Sequence, residues 1–400
     1  MNPIRGMRTL LSAGLRIFFF AAALYAVFAM GVWQGWLGTQ AASGQAPALP
    51  FAPPAVLWHA HEMIFGYACA VLGGFFLTAV PSWTGEKSAR AAFLSVLAAL
   101  WLAGRLALWW SAGLDPLLVA AIDLAFLLML GTKIALQLAR RPKPQNLVIL
   151  LLIFMVWSGN VMVHLDWIGV WAGGATAGLR FGLLTITAII AILGGRLIPA
   201  FTRNAMRQSG RETGLPQSHP KIEATGIVSA ILLPLFVAAD APGQLIAAIA
   251  LVAGTAQAVR LAGWRGGWTL GRPILWSLHL GFAMLALGYL ALAAAMVGWT
   301  SEVGALHLLG IGAIGGMTLA MMSRAALGHT GRPLVAARPI AWAYALVALA
   351  ALIRAVGAEA AAGWYDLAML VSGALWLFAY VLFIAVYWPI LTNPRQNAAS

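Results

Sequence analysis

The sequence has little charge and almost no cysteine. Only 9% of its 400 residues are charged, Asp and Glu together number 11, and the one cysteine is Cys69. One thiol cannot form an internal disulfide, and metal sites built from paired cysteines are also excluded. Charge this sparse excludes an ordinary water-soluble domain, in which about 25% of residues are charged.

Apolar sequence takes the place of the missing charge, because 62% of the residues are hydrophobic and the mean hydropathy is +0.89. A bilayer core about 30 Å thick requires about 20 apolar residues for each helical crossing. About twelve such stretches follow one another, at residues 14–33, 57–80, 91–110, 116–139, 146–168, 175–199, 222–240, 243–262, 273–298, 303–327, 337–356 and 366–390. We therefore predict an all-α, polytopic membrane helix bundle in contact with the lipid bilayer, as a single integral-membrane domain over residues 1–400.

The basic residues predict the orientation of this bundle. Lys and Arg are enriched in cytoplasmic connections, and here they follow the even-numbered spans; Arg140, Arg141 and Lys143, for example, follow the fourth. A basic loop at about residues 200–221 joins spans six and seven. Of the 24 basic residues, only Arg105, Arg180 and Arg354 lie outside both the predicted inner side and the inner ends of the helices. Both termini are expected to be cytoplasmic, and the net charge of +13 reflects this topology and not nucleic-acid binding.

Six of the seven histidines lie in or at the ends of predicted spans. Four share one level near the outer side, and two lie toward the inner side, whereas His219 is expected to be solvated in a cytoplasmic loop. The outer four are His59, His61, His164 and His307, and the inner two are His279 and His329. Ionisable groups within a membrane are costly and commonly functional, and imidazole binds copper, haem iron and zinc. Four histidines at one level therefore favour a metal centre over four separately packed side chains.

The His-Ala-His pair sets a geometric condition on such a centre. Residues two apart on a regular helix point about 200° apart, so His59 and His61 could not easily bind one metal. Because Pro53 and Pro54 precede them, the helix is expected to begin between the two histidines. Both would then face inward, or each would bind a different metal.

Two acidic residues lie inside predicted spans. Glu62 is either a first-turn acid favoured by the helix dipole or a group that supports the metal ligands or carries protons, and it is the candidate catalytic residue. Asp123 is expected to pair with Arg105 or Arg180, because an unpaired charge at that depth would be expensive.

The tenth span contains glycines in a G-x-G-x-x-G pattern, but no strand precedes them, so a dinucleotide site is rejected. Close helix packing explains the run, and a flat wall for a macrocycle bound by His307 is the alternative. Four residues of the second span and the loop after it recur with the same spacing in and after the tenth span: His61, Gly66, Thr84 and Gly85 correspond to His307, Gly312, Thr330 and Gly331. This echo reflects shared ancestry, shared metal-binding geometry or chance.

Ordered motifs along nearly the whole chain resemble the NnrS family. They are Trp58-His59-Ala60-His61-Glu62-Met63 through Phe65-Gly66, Leu77-Thr78-Ala79-Val80-Pro81, Trp83-Thr84-Gly85, Gly159-Asn160 with His164, Gly194-Gly195-Arg196 through Pro199, Phe201-Thr202-Arg203-Asn204, Leu275-Trp276 with His279, His307 through Met317, and Ser323-Arg324-Ala325 to Arg332. Ser82 and Ser323 are mild departures from the family pattern. The resemblance implies a twelve-helix bacterial inner-membrane protein that binds b-type haem and copper and acts in nitric oxide metabolism and nitrosative-stress resistance.

Carried over by motif, the six membrane histidines are the metal candidates. The hypothesis is an outer haem–copper centre, in which His307 binds the haem iron and His59, His61 and His164 bind copper. The inner pair, His279 and His329, would bind a second haem or a separate copper. The arginines near them in depth either neutralise haem propionates or simply follow the positive-inside pattern; they are Arg196, Arg203 and Arg324.

Three classes of function remain open at this point. The first is an oxidoreductase that reduces nitric oxide, or a similar small gas ligand, with electrons from a quinol or another donor. The second is a non-catalytic nitric oxide or haem sensor, or a metal-handling protein. The third is a secondary transporter, which is disfavoured because the loop 82–90 lacks the signature of the major facilitators.

Overall fold

The computed structural model describes residues 3–140, 144–359 and 362–396. Every regular element in these ranges is a helix, and twelve helices are long and apolar enough to cross a membrane, which confirms the predicted fold class. A short helix, Pro3–Leu10, precedes α1 (Gly14–Ser43), α2 (Ala55–Thr84), α3 (Ala91–Trp109), α4 (Pro116–Ala139), α5 (Pro144–Trp167), α6 (Gly174–Gln208), α7 (Pro220–Ala238), α8 (Gly243–Ala262), α9 (Pro273–Met296), α10 (Glu302–His329), α11 (Arg338–Gly357) and α12 (Ala362–Thr392). Arg141 and Lys143, predicted to be cytoplasmic, lie outside the described residues.

Local sequence signals explain where several helices begin and end. At the start of α4, the Asp115 side chain accepts hydrogen bonds from the backbone N–H groups of Leu117 and Leu118, at 2.8 and 3.2 Å, and Pro116 occupies the first turn, where its missing N–H costs nothing. At the other end of a helix, Gly85 adopts a left-handed conformation with φ of 72° and terminates α2. Some helices are longer than the predicted spans, and the difference is largest for α1 and α6. In these helices backbone hydrogen bonding continues beyond the end of the apolar sequence.

The chain divides into two compact units. Unit 1 comprises residues 1–182, 325–333 and 380–400, and unit 2 comprises residues 183–324 and 334–379. Unit 1 therefore contains α1 to α5, and unit 2 contains α7, α8, α9 and α11, while α6, α10 and α12 contribute to both. The assignment of residues 1–400 to a single integral-membrane domain stays a prediction.

The helix α2 starts one turn earlier than expected. It begins at Ala55, and the N–H of Trp58 donates to the carbonyl of Pro54 at 2.9 Å, so His59 and His61 both lie on the helix. The prediction that the helix begins between the two histidines is wrong, because a proline is well tolerated at a helix start and Pro54 begins the turn instead of delaying it.

Two helices contain wide π-helical segments, and each segment directly follows a histidine. Glu62–Ala68 follows His61 in α2, and Leu308–Gly315 follows His307 in α10. The π-helix is rare, and π-helical turns within α-helices are frequent at functional sites. The spacing echo in the sequence therefore corresponds to a shared local backbone structure in the two helices.

The glycines of the tenth span serve close packing within unit 2. A Cβ atom on Gly312 would lie 2.9 Å from Cβ of Met284, and one on Gly281 would lie 3.0 Å from the backbone nitrogen of Met317. A Cβ on Gly315 would collide with the ring of Trp376. Protein atoms thus occupy the space along these glycines, as the packing interpretation predicts.

Candidate metal centre

Unit 1 contains a buried group of polar side chains near the start of α2, which we call the carboxylate–histidine cluster. Five helices contribute to it, and its members are Tyr25, His61, Glu62, Arg105, Asp123, Asn160 and His164. His61 and Glu62 are completely buried, with 0% exposure, and the other members are also buried. Such a concentration of polar groups within apolar helices is expensive unless every group is satisfied.

Three members of the cluster form a possible metal-binding trio: His61, Asp123 and His164. One ligand atom from each lies within 4.8 Å of the other two. Oδ2 of Asp123 is 2.9 Å from Nε2 of His164 and 3.4 Å from Nε2 of His61. Within the ranges that the structure describes, this is the one group of three or more His, Cys, Asp or Glu side chains arranged in this way. Two imidazoles and a carboxylate suit a first-row transition metal.

Asn160 holds the trio together. Its Nδ2 donates to Oδ2 of Asp123 at 2.8 Å, and its Oδ1 lies 2.8 Å from Nε2 of His61. Nδ1 of His61 is 2.9 Å from Oε1 of Glu62. Both partners of His61 are therefore acceptors, whereas a neutral imidazole has only one N–H to donate. When Glu62 is ionised, one additional proton or a cation would be needed to satisfy both contacts.

Arg105 joins the two buried carboxylates. Its Nη1 donates to Oε1 of Glu62 at 2.7 Å, and its Nη2 forms a close ion pair with Oδ1 of Asp123. The other oxygen of Glu62 accepts a close hydrogen bond from the Tyr25 hydroxyl. Asp123 thus pairs with Arg105, one of the two partners expected from the sequence.

The charges of the cluster do not cancel. Two ionised carboxylates and one guanidinium leave one negative charge when both histidines are neutral. Because an uncompensated charge in a buried site is costly, one additional positive charge stabilises the cluster. A bound metal cation or a proton supplies that charge, so the electrostatics and the donor set favour the same class of ligand.

The π-helical segment of α2 makes room for this arrangement. A Cβ atom on Gly66 would lie 2.8 Å from Nη1 of Arg105 and 2.8 Å from Cε1 of Tyr25. The carbonyl of Gly66 accepts a hydrogen bond of 2.9 Å from the Trp101 indole. Glycine is therefore required at this position for the guanidinium to reach Glu62.

The other candidate of the His-Ala-His pair, His59, lies outside the trio. Its ring stacks on Trp33, with the ring centroids 4.6 Å apart and an interplanar angle of 14°. This separation follows from the regular helix between Ala55 and His61, which directs residues two apart to different sides.

The histidine of the second π-helical segment, His307, belongs to unit 2. Its Nδ1 lies 2.7 Å from the carbonyl oxygen of Val303, one turn earlier in α10. A carbonyl only accepts, so Nδ1 carries the proton and the lone pair of Nε2 remains for a ligand. Fixing the tautomer in this way is typical of histidines that bind metals.

The two predicted inner histidines differ in their surroundings. His279, in unit 2, is 7% exposed; its Nε2 lies 3.0 Å from the hydroxyl of Thr202, and no described residue forms a hydrogen bond with its Nδ1. His329 is exposed at the end of α10, in a part of the chain that belongs to unit 1. His219 is exposed before α7, as expected.

The three arginines considered for haem propionates also have different surroundings. Arg196 is exposed, Arg203 donates to the carbonyl of Pro216 at 3.0 Å, and the guanidinium of Arg324 lies 4.0 Å from the ring centroid of Phe201. Arg203 and Arg324 thus have partners within the protein.

Four members of the cluster are not among the site residues predicted from the sequence: Tyr25, Arg105, Asp123 and Asn160. Asp123 could have been found, because a carboxylate in the middle of an apolar span requires polar partners. Asn160 accompanies His164 one helical turn away, which is a weaker signal. Nothing in the sequence around Tyr25 distinguishes it from an aromatic residue packed in the bundle.

Comparison with known protein families matches the chain to a family model described as NnrS protein, over residues 9–395. The search of individual curated proteins returned no match. The family match extends over both units and contains every residue of the carboxylate–histidine cluster.

Proposed function

Because the chain belongs to the NnrS family, we propose that it is a haem- and copper-binding protein of the bacterial cytoplasmic membrane that acts in nitric oxide metabolism and nitrosative-stress resistance. The observation that carries the proposal is the buried trio of His61, Asp123 and His164. Its donor set fits copper, and the surplus negative charge of its surroundings favours a cation.

In this proposal His61, Asp123 and His164 bind copper, and His307 presents Nε2 to haem iron. The two metals would supply electron transfer and a coordination position for nitric oxide. His59, His279 and His329 stay candidate ligands, and Arg196, Arg203 and Arg324 stay candidate propionate partners, from the motif alone.

The chain's own residues would manage protons and ligand geometry. Reduction of two nitric oxide molecules to nitrous oxide and water consumes two electrons and two protons. Glu62 contacts His61 and Tyr25, so it can hold a proton next to the trio and exchange it along that hydrogen bond. Arg105 fixes both carboxylates, and Asn160 orients Asp123. Electrons would come from a quinol or another donor.

The completeness of burial also supports a second candidate, a non-catalytic sensor or metal-handling protein. Each member of the trio is at most 3% exposed, which favours retention of a metal over exchange of large substrates. Nitric oxide is small and apolar, so it could reach a buried site, and burial alone does not distinguish the reductase from the sensor. Consumption of nitric oxide by purified protein with a quinol analogue separates them: turnover supports the reductase, and binding without turnover supports the sensor.

The proposal is tested by metal analysis of the purified full chain. We expect copper and b-type haem in the wild-type protein, loss of copper in His61→Ala and His164→Ala, and loss of haem in His307→Ala. His219→Ala is the control, because this histidine is exposed in a loop and should leave both metals unchanged. A wild-type protein without copper and without a Soret band would contradict the proposal and favour a transporter.

A further inference from the structure

Unit 2 contains a buried guanidinium that forms no ion pair with a carboxylate of the described residues. Arg354, near the end of α11, is only 9% exposed, and its Nη1 has no hydrogen-bond partner in the described part of the chain. Its guanidinium interacts with the Tyr365 side chain, whose ring centroid lies 5.9 Å from Cζ of the arginine. No carboxylate among the described residues forms an ion pair with Arg354.

Helix packing places this arginine beside the turn that contains His307. A Cβ atom on Gly304 would lie 3.0 Å from the carbonyl oxygen of Ala355, and one on Gly312 would lie 3.2 Å from Cβ of Ala351. Arg354 therefore lies on the stretch of α11 that packs against α10 between these two glycines.

The isolated positive charge requires a ligand or a compensating group. Arginine remains protonated at every accessible pH, so the buried charge cannot be neutralised by loss of a proton. Removing a cation from water without a partner costs several kcal/mol, and the neutral Tyr365 ring replaces only part of the lost hydration. An anion that reaches the free Nη1 would form a charge-assisted hydrogen bond in a weakly solvated place.

We infer that Arg354 forms an anion site beside His307 in unit 2. The ligand is a small planar oxyanion of carboxylate geometry, because the guanidinium fork matches two oxygens on one centre. Two sources share this chemistry: a free oxyanion such as nitrite, and a carboxylate of a haem held by His307. The site itself does not rest on the proposed copper centre of unit 1.

The test measures nitrite affinity in haem-free full-length protein and haem affinity in the same preparation. We expect Arg354→Gln to weaken one of these affinities by about tenfold or more, which is the typical worth of a hydrogen bond to a charged group. Arg354→Lys should lose part of the affinity, because lysine keeps the charge without the bidentate geometry. Arg338→Gln is the matched control, since this arginine is exposed at the other end of the same helix.

The pattern of losses identifies the source of the anion. Weaker nitrite binding with unchanged haem affinity supports a free oxyanion, whereas weaker haem binding, with nitrite and haem competing in the wild type, supports the haem carboxylate. Unchanged affinities in folded Arg354→Gln and Arg354→Lys proteins would overturn the inference. Copper content, measured in parallel, reports on the proposed function, so failure of one is distinguishable from failure of the other.

Discussion

The two units use similar parts to build opposite electrostatic environments. In unit 1, a π-helical segment follows His61, and Arg105 from the next helix bonds two carboxylates. In unit 2, a π-helical segment follows His307, and Arg354 from the next helix has no carboxylate partner among the described residues. The first arrangement lacks one positive charge and the second lacks one negative charge. The difference in charge thus comes from the acidic residues on the surrounding helices and not from the helix geometry, and we expect it to set the sign of the ligand that each unit favours.

The largest effect should come from removing the central cation of unit 1. Arg105→Gln leaves Glu62 and Asp123 buried without their partner, which we expect to lower the free energy of unfolding by about 3–5 kcal/mol. Denaturant titration in mixed micelles measures this change. The triple variant with Glu62→Gln and Asp123→Asn should recover much of the loss, and a single variant within 1 kcal/mol of wild type would contradict the charge balance.

The second prediction compares the loss of copper affinity when a proposed ligand, Asp123, is replaced with the loss when Asn160, which orients that ligand, is replaced. Asn160→Ala removes the hydrogen bond that orients Asp123, and we expect copper affinity to fall by about 10–100-fold. Asp123→Asn removes a ligand as well as the charge, so its loss should be larger. Competition with a copper chelator measures both affinities, and haem content should stay unchanged. Equal affinities in the two variants would show that Asp123 is not a ligand.

The two π-helical segments should differ in their tolerance of a methyl group. Gly66→Ala directs Cβ onto Arg105 and Tyr25, at 2.8 Å from each, and we expect a loss of about 1–3 kcal/mol in stability. Gly310 lies in the other segment, where a Cβ would meet Leu183 at an ordinary 3.8 Å. Gly310→Ala should therefore be neutral or stabilising by up to about 1 kcal/mol. A reversed order of the two melting temperatures would contradict this account.

The smallest effect has the opposite sign to the first. Arg354→Met in anion-free, haem-free protein removes a buried charge that has no ionic partner, so stability should be unchanged or rise by about 1 kcal/mol. The same denaturant titration measures it beside Arg105→Gln. A loss as large as that of Arg105→Gln would show that Arg354 already has a compensating partner in the protein.

Composition and apolar periodicity were sufficient to predict the number and order of membrane helices, because each crossing needs a long apolar stretch. The sequence also singled out His61 and His164, since ionisable groups are rare in such stretches. It could not assemble the trio, because contacts of His61 with Asp123 and His164 depend on how α2, α4 and α5 pack. The start of α2 was misplaced because proline occurs both before a helix and in its first turn, so Pro53 and Pro54 do not fix where the helix begins. The π-helical segments have no recognised sequence signal, apart from the spacing repeated in α10.

The central claim is that unit 1 binds copper through His61, Asp123 and His164. Copper stoichiometry of the purified full chain tests it most directly, with haem measured on the same samples. We predict that His164→Ala loses copper and keeps haem, whereas His219→Ala keeps both. Copper retained at the wild-type stoichiometry in folded His164→Ala and Asp123→Asn proteins would contradict the claim.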